Sequence, residues 1–212
     1  IMSESLILKN FKNKINLNKK KILLDYIKKI NNLDNPKFFI SFKKDYKYSF
    51  NRKLIKKYKK FKNIHITGMG GSTLGTKAMY NFLNKKIKKK VTFSENLSLI
   101  NQRRKNSLNI IISKSGNTLE TITNFNINFK SKDKNIFITE NTENYLKILA
   151  QKLKAEVVEH KNFIGGRFSV LSEVGMLPAQ LMGLNESKFK RFNDLIKKKK
   201  FLKNLIQNVL ST

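Results

Sequence analysis

The stretch Leu108-Asn109-Ile110-Ile111-Ile112 limits the possible folds more than any other part of the chain. It is almost wholly apolar and stops abruptly at Ser113-Lys114-Ser115-Gly116. A strand wetted on one face alternates apolar and polar residues. A near-continuous apolar run belongs to a strand covered on both faces, as in a parallel sheet packed between helices. Shorter β-prone runs at 63–67, 97–101, 135–139 and 155–158 predict four more strands. Apolar residues at helical spacing fill the intervals at 73–83, 118–129 and 143–153. Strands alternating with helices predict an α/β fold: a doubly wound, parallel five-stranded sheet in a three-layer sandwich with flanking helices.

The flanks are helical in pattern. Ile22, Leu23, Tyr26, Ile27 and Ile30 predict a helix over 20–33, broken at Asn35-Pro36. Residues 38–42 are apolar but short, either extended or part of the same helical layer. A further helix is expected over 52–62, and two more over 170–183 and 186–210.

The 212 residues carry a formal net charge of +31. Dense lysine and arginine release counterions from a polyanion, so nucleic acid is one reading of that charge. The excess is mostly Lys, however, spread along the chain and accompanied by abundant Asn, Ile and Phe. All four can be encoded by A and T alone, which makes base composition the plainer cause. Nucleic-acid readers favour Arg for its planar, bidentate contacts. Solvated lysines are therefore expected, including at 85–90 and 197–200, and no nucleic-acid partner. A charge this high still draws phosphorylated substrates at long range. The chain has no cysteine, which excludes disulfides and thiolate metal sites. No apolar stretch approaches the roughly 20 residues that span a bilayer, and the N-terminus lacks the pattern of a secretory signal. A cytoplasmic protein without membrane partner, cofactor or metal is expected.

Three segments stand at strand ends, where open α/β sheets bind ligands. Gly68-Met69-Gly70-Gly71-Ser72-Thr73-Leu74-Gly75 follows the first strand. Its glycines let a backbone turn tightly and approach a ligand, and Ser72, where the next helix is expected to start, offers a hydroxyl and an N–H. The plainer reading is a glycine turn with Ser72 as N-cap. The spacing fits neither the Walker loop nor the dinucleotide fingerprint. Ser113-Lys114-Ser115-Gly116-Asn117-Thr118 follows the strongest strand and opens a helix. Ser113, Ser115 and Thr118 offer hydroxyls, the turn offers N–H groups, and a helix N-terminus favours an anion. A phosphate cradle explains three hydroxyls around one glycine better than a capped polar loop does. Gly165-Gly166-Arg167-Phe168-Ser169-Val170-Leu171-Ser172 presents an arginine. Its guanidinium stays charged at any working pH, so it suits a developing oxyanion and cannot serve as a base. Against this stands a structural arginine satisfying carbonyls or a carboxylate, with Ser169 or Ser172 capping the next helix.

Together and in this order, the three segments resemble the glucose-6-phosphate isomerase family. That family has a Gly-Gly-Ser-x-Leu-Gly loop, a Ser-Lys-Ser/Thr-x-x-Thr-x-Glu-Thr loop and a Gly-Gly-Arg-[Phe/Tyr]-Ser segment. The resemblance runs over residues 63–178 and is most specific over 165–178. It implies a sugar isomerase domain at 46–164, after an N-terminal helical region at 1–45 and before a helical connection at 165–212 that leads toward a second such domain. It implies that Gly71 and Ser72 line the sugar, and that Ser113, Lys114 through its backbone, Ser115 and Thr118 hold the phosphate. Arg167 would stabilise a cis-enediolate, with Glu120 in a supporting role. The reaction implied is the interconversion of glucose 6-phosphate and fructose 6-phosphate in glycolysis and gluconeogenesis, by a protein that is a homodimer when full length.

Such a reaction moves a proton between adjacent carbons and needs a base, plus an acid–base group for ring opening. In the family a glutamate, a histidine and a lysine from the second domain and the C-terminal region supply them. No counterpart is found here. His65 lies inside one expected strand and His160 ends another, each a structural histidine. The expectation is an N-terminal portion that binds sugar phosphate and is inactive alone. The alternative is a phosphosugar-sensing domain without catalysis.

Overall fold

The computed structural model describes residues 37–97 and 106–192, with 21, 22, 24, 25, 198, 201, 204 and 205. The chain divides into two compact units, one of Lys37–Lys190 and one of Ile1–Pro36 with Arg191–Thr212. In the second unit, Lys21, Ile22, Leu24 and Asp25 are helical and exposed; the remainder of the helix expected over 20–33 lies outside the described residues.

The Lys37–Lys190 unit is built on five parallel strands: β1 (Asn63–Gly68), β2 (Lys90–Ser94), β3 (Ser107–Ile112), β4 (Lys134–Thr139) and β5 (Glu156–Glu159). Their spatial order is β2-β1-β3-β4-β5. The helices are α1 (Arg52–Tyr58), α2 (Leu74–Leu83), α3 (Leu119–Asn128), α4 (Tyr145–Lys152), α5 (Glu173–Leu181) and α6 (Glu186–Phe189). All six residues of the central strand β3 are buried, as its apolar run required. Alternation along the strands divides the core. Leu108, Ile110 and Ile112 join Ile64, Ile66, Ile136 and Ile138 in a layer with residues of α1, α2 and α5. Ile111 and Phe137 turn the other way, onto Phe125 of α3 and Leu146 and Ala150 of α4. Each such buried side chain contributes about 1.5–3 kcal/mol. This is the three-layer, doubly wound sheet that the sequence predicts.

A polar row crosses the sheet. Thr92, His65, Asn109 and Asn135 stand side by side in register, with His65 Nδ1 2.8 Å from Thr92 Oγ1 and Asn109 Nδ2 donating to Asn135 Oδ1 at 2.7 Å. His65 is 2% exposed and so is a structural histidine.

One strand differs from expectation. The edge strand is Lys90–Ser94, not 97–101. Lys90 and Thr92 are exposed while Val91 and Ser94 are buried. An edge strand is solvated along one side and needs no continuous apolar run, so the lysines before it obscured it. Leu97 lies beyond it, exposed, and 98–101 fall outside the described residues. Lys85, Lys86, Lys88 and Lys90 are solvated as expected. Lys89 is not: half-buried, it donates Nζ to Lys59 O at 2.6 Å. Of 197–200 only Lys198 is described, and it is exposed.

Other boundaries shift by caps. The helix expected over 52–62 ends at Tyr58, and that over 170–183 begins at Glu173 because Ser172 accepts from Val174 N. Before it, Gly166–Leu171 form a 3-10 helix, as do Lys37–Phe42. The helix expected over 186–210 is seen as α6, a 3-10 turn at Lys190–Phe192 and isolated helical residues at 201, 204 and 205; the rest lies outside the described residues.

Candidate functional site

In an open parallel sheet, a crevice forms at the carboxyl ends of two neighbouring strands whose connections leave in opposite directions. In the order β2-β1-β3-β4-β5 that switch point lies between β1 and β3. The loops leaving these two strands are the first two motif segments. Gly68 pairs with Ile112, so the loops start side by side. A Cβ on Gly68 would stand 2.8 Å from the Ile112 carbonyl oxygen, which keeps this position glycine.

The loop after β3 is a closed turn. Ser113 Oγ lies 2.8 Å from Thr118 Oγ1 and accepts from Gly116 N at 3.1 Å. Gly116 has φ +67°, and a Cβ there would stand 1.9 Å from Asn144 Oδ1. Asn144 caps α4, accepting from Lys147 N at 3.0 Å, and Asn117 Oδ1 accepts from Tyr145 N at 3.0 Å. The turn is thereby clamped to the start of α4. Lys114 O accepts from Glu140 N at 3.0 Å, and Lys114 Nζ lies 3.4 Å from Glu140 Oε1. Ser113 is buried, Lys114 and Thr118 are half-buried, and Ser115 is exposed. Thr118 occupies the N-cap position of α3 but makes no capping hydrogen bond, so the capped-loop reading does not hold for it. Among the described residues, the N–H groups of Lys114, Ser115 and Thr118 meet no acceptor. Unpaired amides at the start of a ten-residue helix favour a nearby anion. Glu120 is half-buried in the first turn of the same helix.

The first and third segments interlock. A Cβ on Gly71 would stand 2.5 Å from the Gly166 carbonyl carbon, and one on Gly75 2.7 Å from the Val170 side chain. Ser169 Oγ donates to Gly166 O at 2.7 Å and lies 3.2 Å from Gly71 O. The close approach these glycines permit is here between two protein segments. Ser72 sits in the 3-10 turn Gly70–Ser72, and α2 begins two residues later with Thr73 in the cap position. Ser72 is half-buried, and its hydroxyl meets no partner among the described residues. Arg167 is exposed on the 3-10 helix Gly166–Leu171 and makes no hydrogen bond or ion pair among the described residues. A structural arginine would be satisfied by carbonyls or a carboxylate; this one is not.

His160, at the end of β5, is 2% exposed and its Nδ1 has no partner among the described residues. Burial, with the Lys114 charge nearby, pulls it down to about 4. Two acids escaped the sequence reading, Glu95 and Glu140, each one residue past a strand end. Glu95 Oε1 accepts from Thr73 Oγ1 at 2.6 Å and Glu95 also pairs with Lys77, whose hydrogen bond, with that of Thr73, holds the carboxyl below the usual range. Position at a strand end is the signal that could have found them, but for Glu95 the misplaced edge strand hid it. Among the described residues no group of three or more His, Cys, Asp or Glu side chains converges on a metal position. The crevice thus offers hydroxyls and unpaired amides, a set suited to a phosphate, while Arg167 is exposed on the segment that packs against Gly71.

This sheet order, with a hydroxyl-rich loop at its switch point, is that of a doubly wound α/β domain, a fold that sugar isomerase domains share. Residues 51–207 match the phosphoglucose isomerase family, and the chain belongs to that family. It is 40% identical over 75 residues to a glucose-6-phosphate isomerase of Mycoplasma mycoides subsp. mycoides SC, a stretch covering 35% of this chain and 17% of that relative. Among solved structures, a hypothetical protein from Thermus thermophilus superposes with a TM-score of 0.67 at 18% identity, over 91% of this chain and 51% of that one. The tagatose-6-phosphate ketose/aldose isomerase of Escherichia coli gives a TM-score of 0.51 at 14% identity, over 76% of this chain and 46% of that one. At these identities the two structures show a shared fold. Among the described residues no helix is long and apolar enough to cross a membrane.

Proposed function

We propose that this chain supplies the phosphate-binding and oxyanion-stabilising part of a glucose-6-phosphate isomerase. The reaction is the reversible conversion of glucose 6-phosphate to fructose 6-phosphate through a cis-enediolate. One observation carries the reading: at the switch point, the turn 113–118 holds three hydroxyls and three amides without acceptors at the start of α3. In this reading the N–H groups of Lys114 and Ser115, with the hydroxyls of Ser113, Ser115 and Thr118, grip the phosphate. Hydrogen bonds to a charged group contribute about 1.5–3 kcal/mol each. Gly71 and Ser72 border the sugar, Arg167 stabilises the enediolate oxygen, and Glu120 supports the turn from α3. Arg167 cannot take the proton from carbon, so the base comes from a second sugar isomerase domain of the full-length protein. The setting is cytoplasmic glycolysis and gluconeogenesis, with a homodimer as the full-length assembly.

Thermal stabilisation of the chain by 5-phosphoarabinonate, a sugar-acid phosphate that imitates the enediolate, tests the binding half. No shift in a cooperatively melting sample counts against it. For the chemical half, Arg167→Ala in the full-length enzyme is expected to lower kcat by about 10²–10³ while KM moves only a few-fold. A loss of turnover no larger than the loss of binding would sink the oxyanion role.

A further inference from the structure

Glu173, the first residue of α5, is a carboxylate with 0% exposure. Burying an ionised carboxylate is costly unless hydrogen bonds satisfy it. Tyr46 Oη lies 2.9 and 3.0 Å from its two oxygens, and Ser49 donates to Oε1 from its N–H at 3.0 Å and from Oγ at 3.1 Å. Ser49 Oγ also lies 2.8 Å from Glu159 O at the end of β5. Behind Tyr46, the nearly buried Lys190 sets its Nζ 5.2 Å from the Tyr46 ring centre and 4.8 Å from that of Tyr48, and donates to Lys43 O at 2.9 Å. An acid needed only to complement a helix dipole does so from an exposed first turn. This one is locked to a segment more than a hundred residues away in the chain.

The first turn of α5 is also the base on which the 3-10 helix Gly166–Leu171 rests. A Cβ on Gly175 would stand 2.0 Å from the Val170 carbonyl oxygen, and Ser172 donates Oγ to Ser169 O at 2.7 Å. Arg167 has no side-chain partner among the described residues, so the turn beneath it is what sets the point from which its side chain extends. We infer that Glu173 is a positioning residue: by tying the first turn of α5 to Tyr46, Ser49 and the end of β5, it fixes the turn that presents Arg167 to an oxyanion. The inference rests on the oxyanion role of Arg167 proposed above.

Two probes separate positioning from mere stability: 5-phosphoarabinonate, whose carboxylate can meet Arg167, and arabitol 5-phosphate, which lacks it. The ratio of their dissociation constants reads the Arg167 contact. The wild-type chain is expected to prefer the acid by about tenfold or more, and Arg167→Ala to abolish that preference. Glu173→Ala is expected to cut the preference at least about fivefold while arabitol phosphate affinity stays within about twofold. Adding Glu173→Ala to Arg167→Ala should then change nothing more. Glu173→Gln, which can still accept from Tyr46 and Ser49, should keep most of the preference. If Glu173→Ala does not fold, Tyr46→Phe gives the same readout. A full preference retained in the folded variant, or an equal loss for both probes, overturns the inference alone. A wild type that binds neither probe overturns the proposed function and this inference with it.

Discussion

At Gly116 two constraints coincide: φ is +67°, and a side chain would meet Asn144 Oδ1 at 1.9 Å. Gly116→Ala is therefore expected to destabilise the chain by about 1–3 kcal/mol from backbone strain alone, measured by urea unfolding. Clearing the separate clash with Asn144→Gly should leave this loss in place, since φ stays positive. The glycine was legible in the sequence; its partner, 28 residues on, was not, because that contact exists only once β3 and β4 pair. His160 gives a pH signature. Its folded value of about 4 lies below the ordinary 6.5, so between these values the unfolded chain binds the extra proton. Stability from this group is present above pH 6.5, falls as pH drops toward 4, and stays lost below. The loss is at most about 3 kcal/mol. His160→Gln should flatten the dependence of unfolding free energy on pH in that window; an unchanged slope would assign it to other groups.

Among the elements, the contact between the loop after β1 and the 3-10 helix Gly166–Leu171 sets the geometry of the site. Gly71→Ala pushes a methyl group into the Gly166 backbone, which cannot swing away as a side-chain tip could. An overpacking cost of about 1–3 kcal/mol is expected, with weaker Arg167-dependent binding of the sugar-acid phosphate. An unshifted urea midpoint would show that the two segments do not touch. The sequence placed both segments at strand ends and read the glycines as room for a ligand. It could not show that Gly71 and Ser169, 98 positions apart, come to 3.2 Å. The edge strand β2 was missed for a related reason: its period-2 pattern is short and follows a run of lysines, whereas β3, buried on both faces, announces itself.

For the molecule as a whole, a net charge of +31 over 212 residues makes self-repulsion a standing cost. Screening shortens its range from about 30 Å at about 0.01 M salt to about 8 Å at about 0.15 M. The melting temperature is therefore expected to rise as sodium chloride goes from about 0.01 M to about 0.15 M, followed by circular dichroism. A melting temperature that falls over this range would mean that local ion pairs, such as Lys77–Glu95 and Lys57–Glu156, outweigh the repulsion.

The amino-acid sequence by itself determined the parallel, doubly covered sheet and the three segments at its carboxyl edge. Periodicity and strand-end chemistry are local properties, and the run at 108–112, ending at a polar turn, fits a strand covered on both faces. The strand order was decided only by tertiary structure, and with it the switch point between β1 and β3 that puts the loops of Ser72 and Ser113 side by side. Tertiary structure also decided that Arg167 is without a partner among the described residues while Glu173, six residues later, is buried beneath four hydrogen-bond contacts. Both are ionisable side chains in one short stretch of sequence. That Glu173 is the one buried depends on packing by Tyr46 and Ser49, residues that no local pattern connects to it.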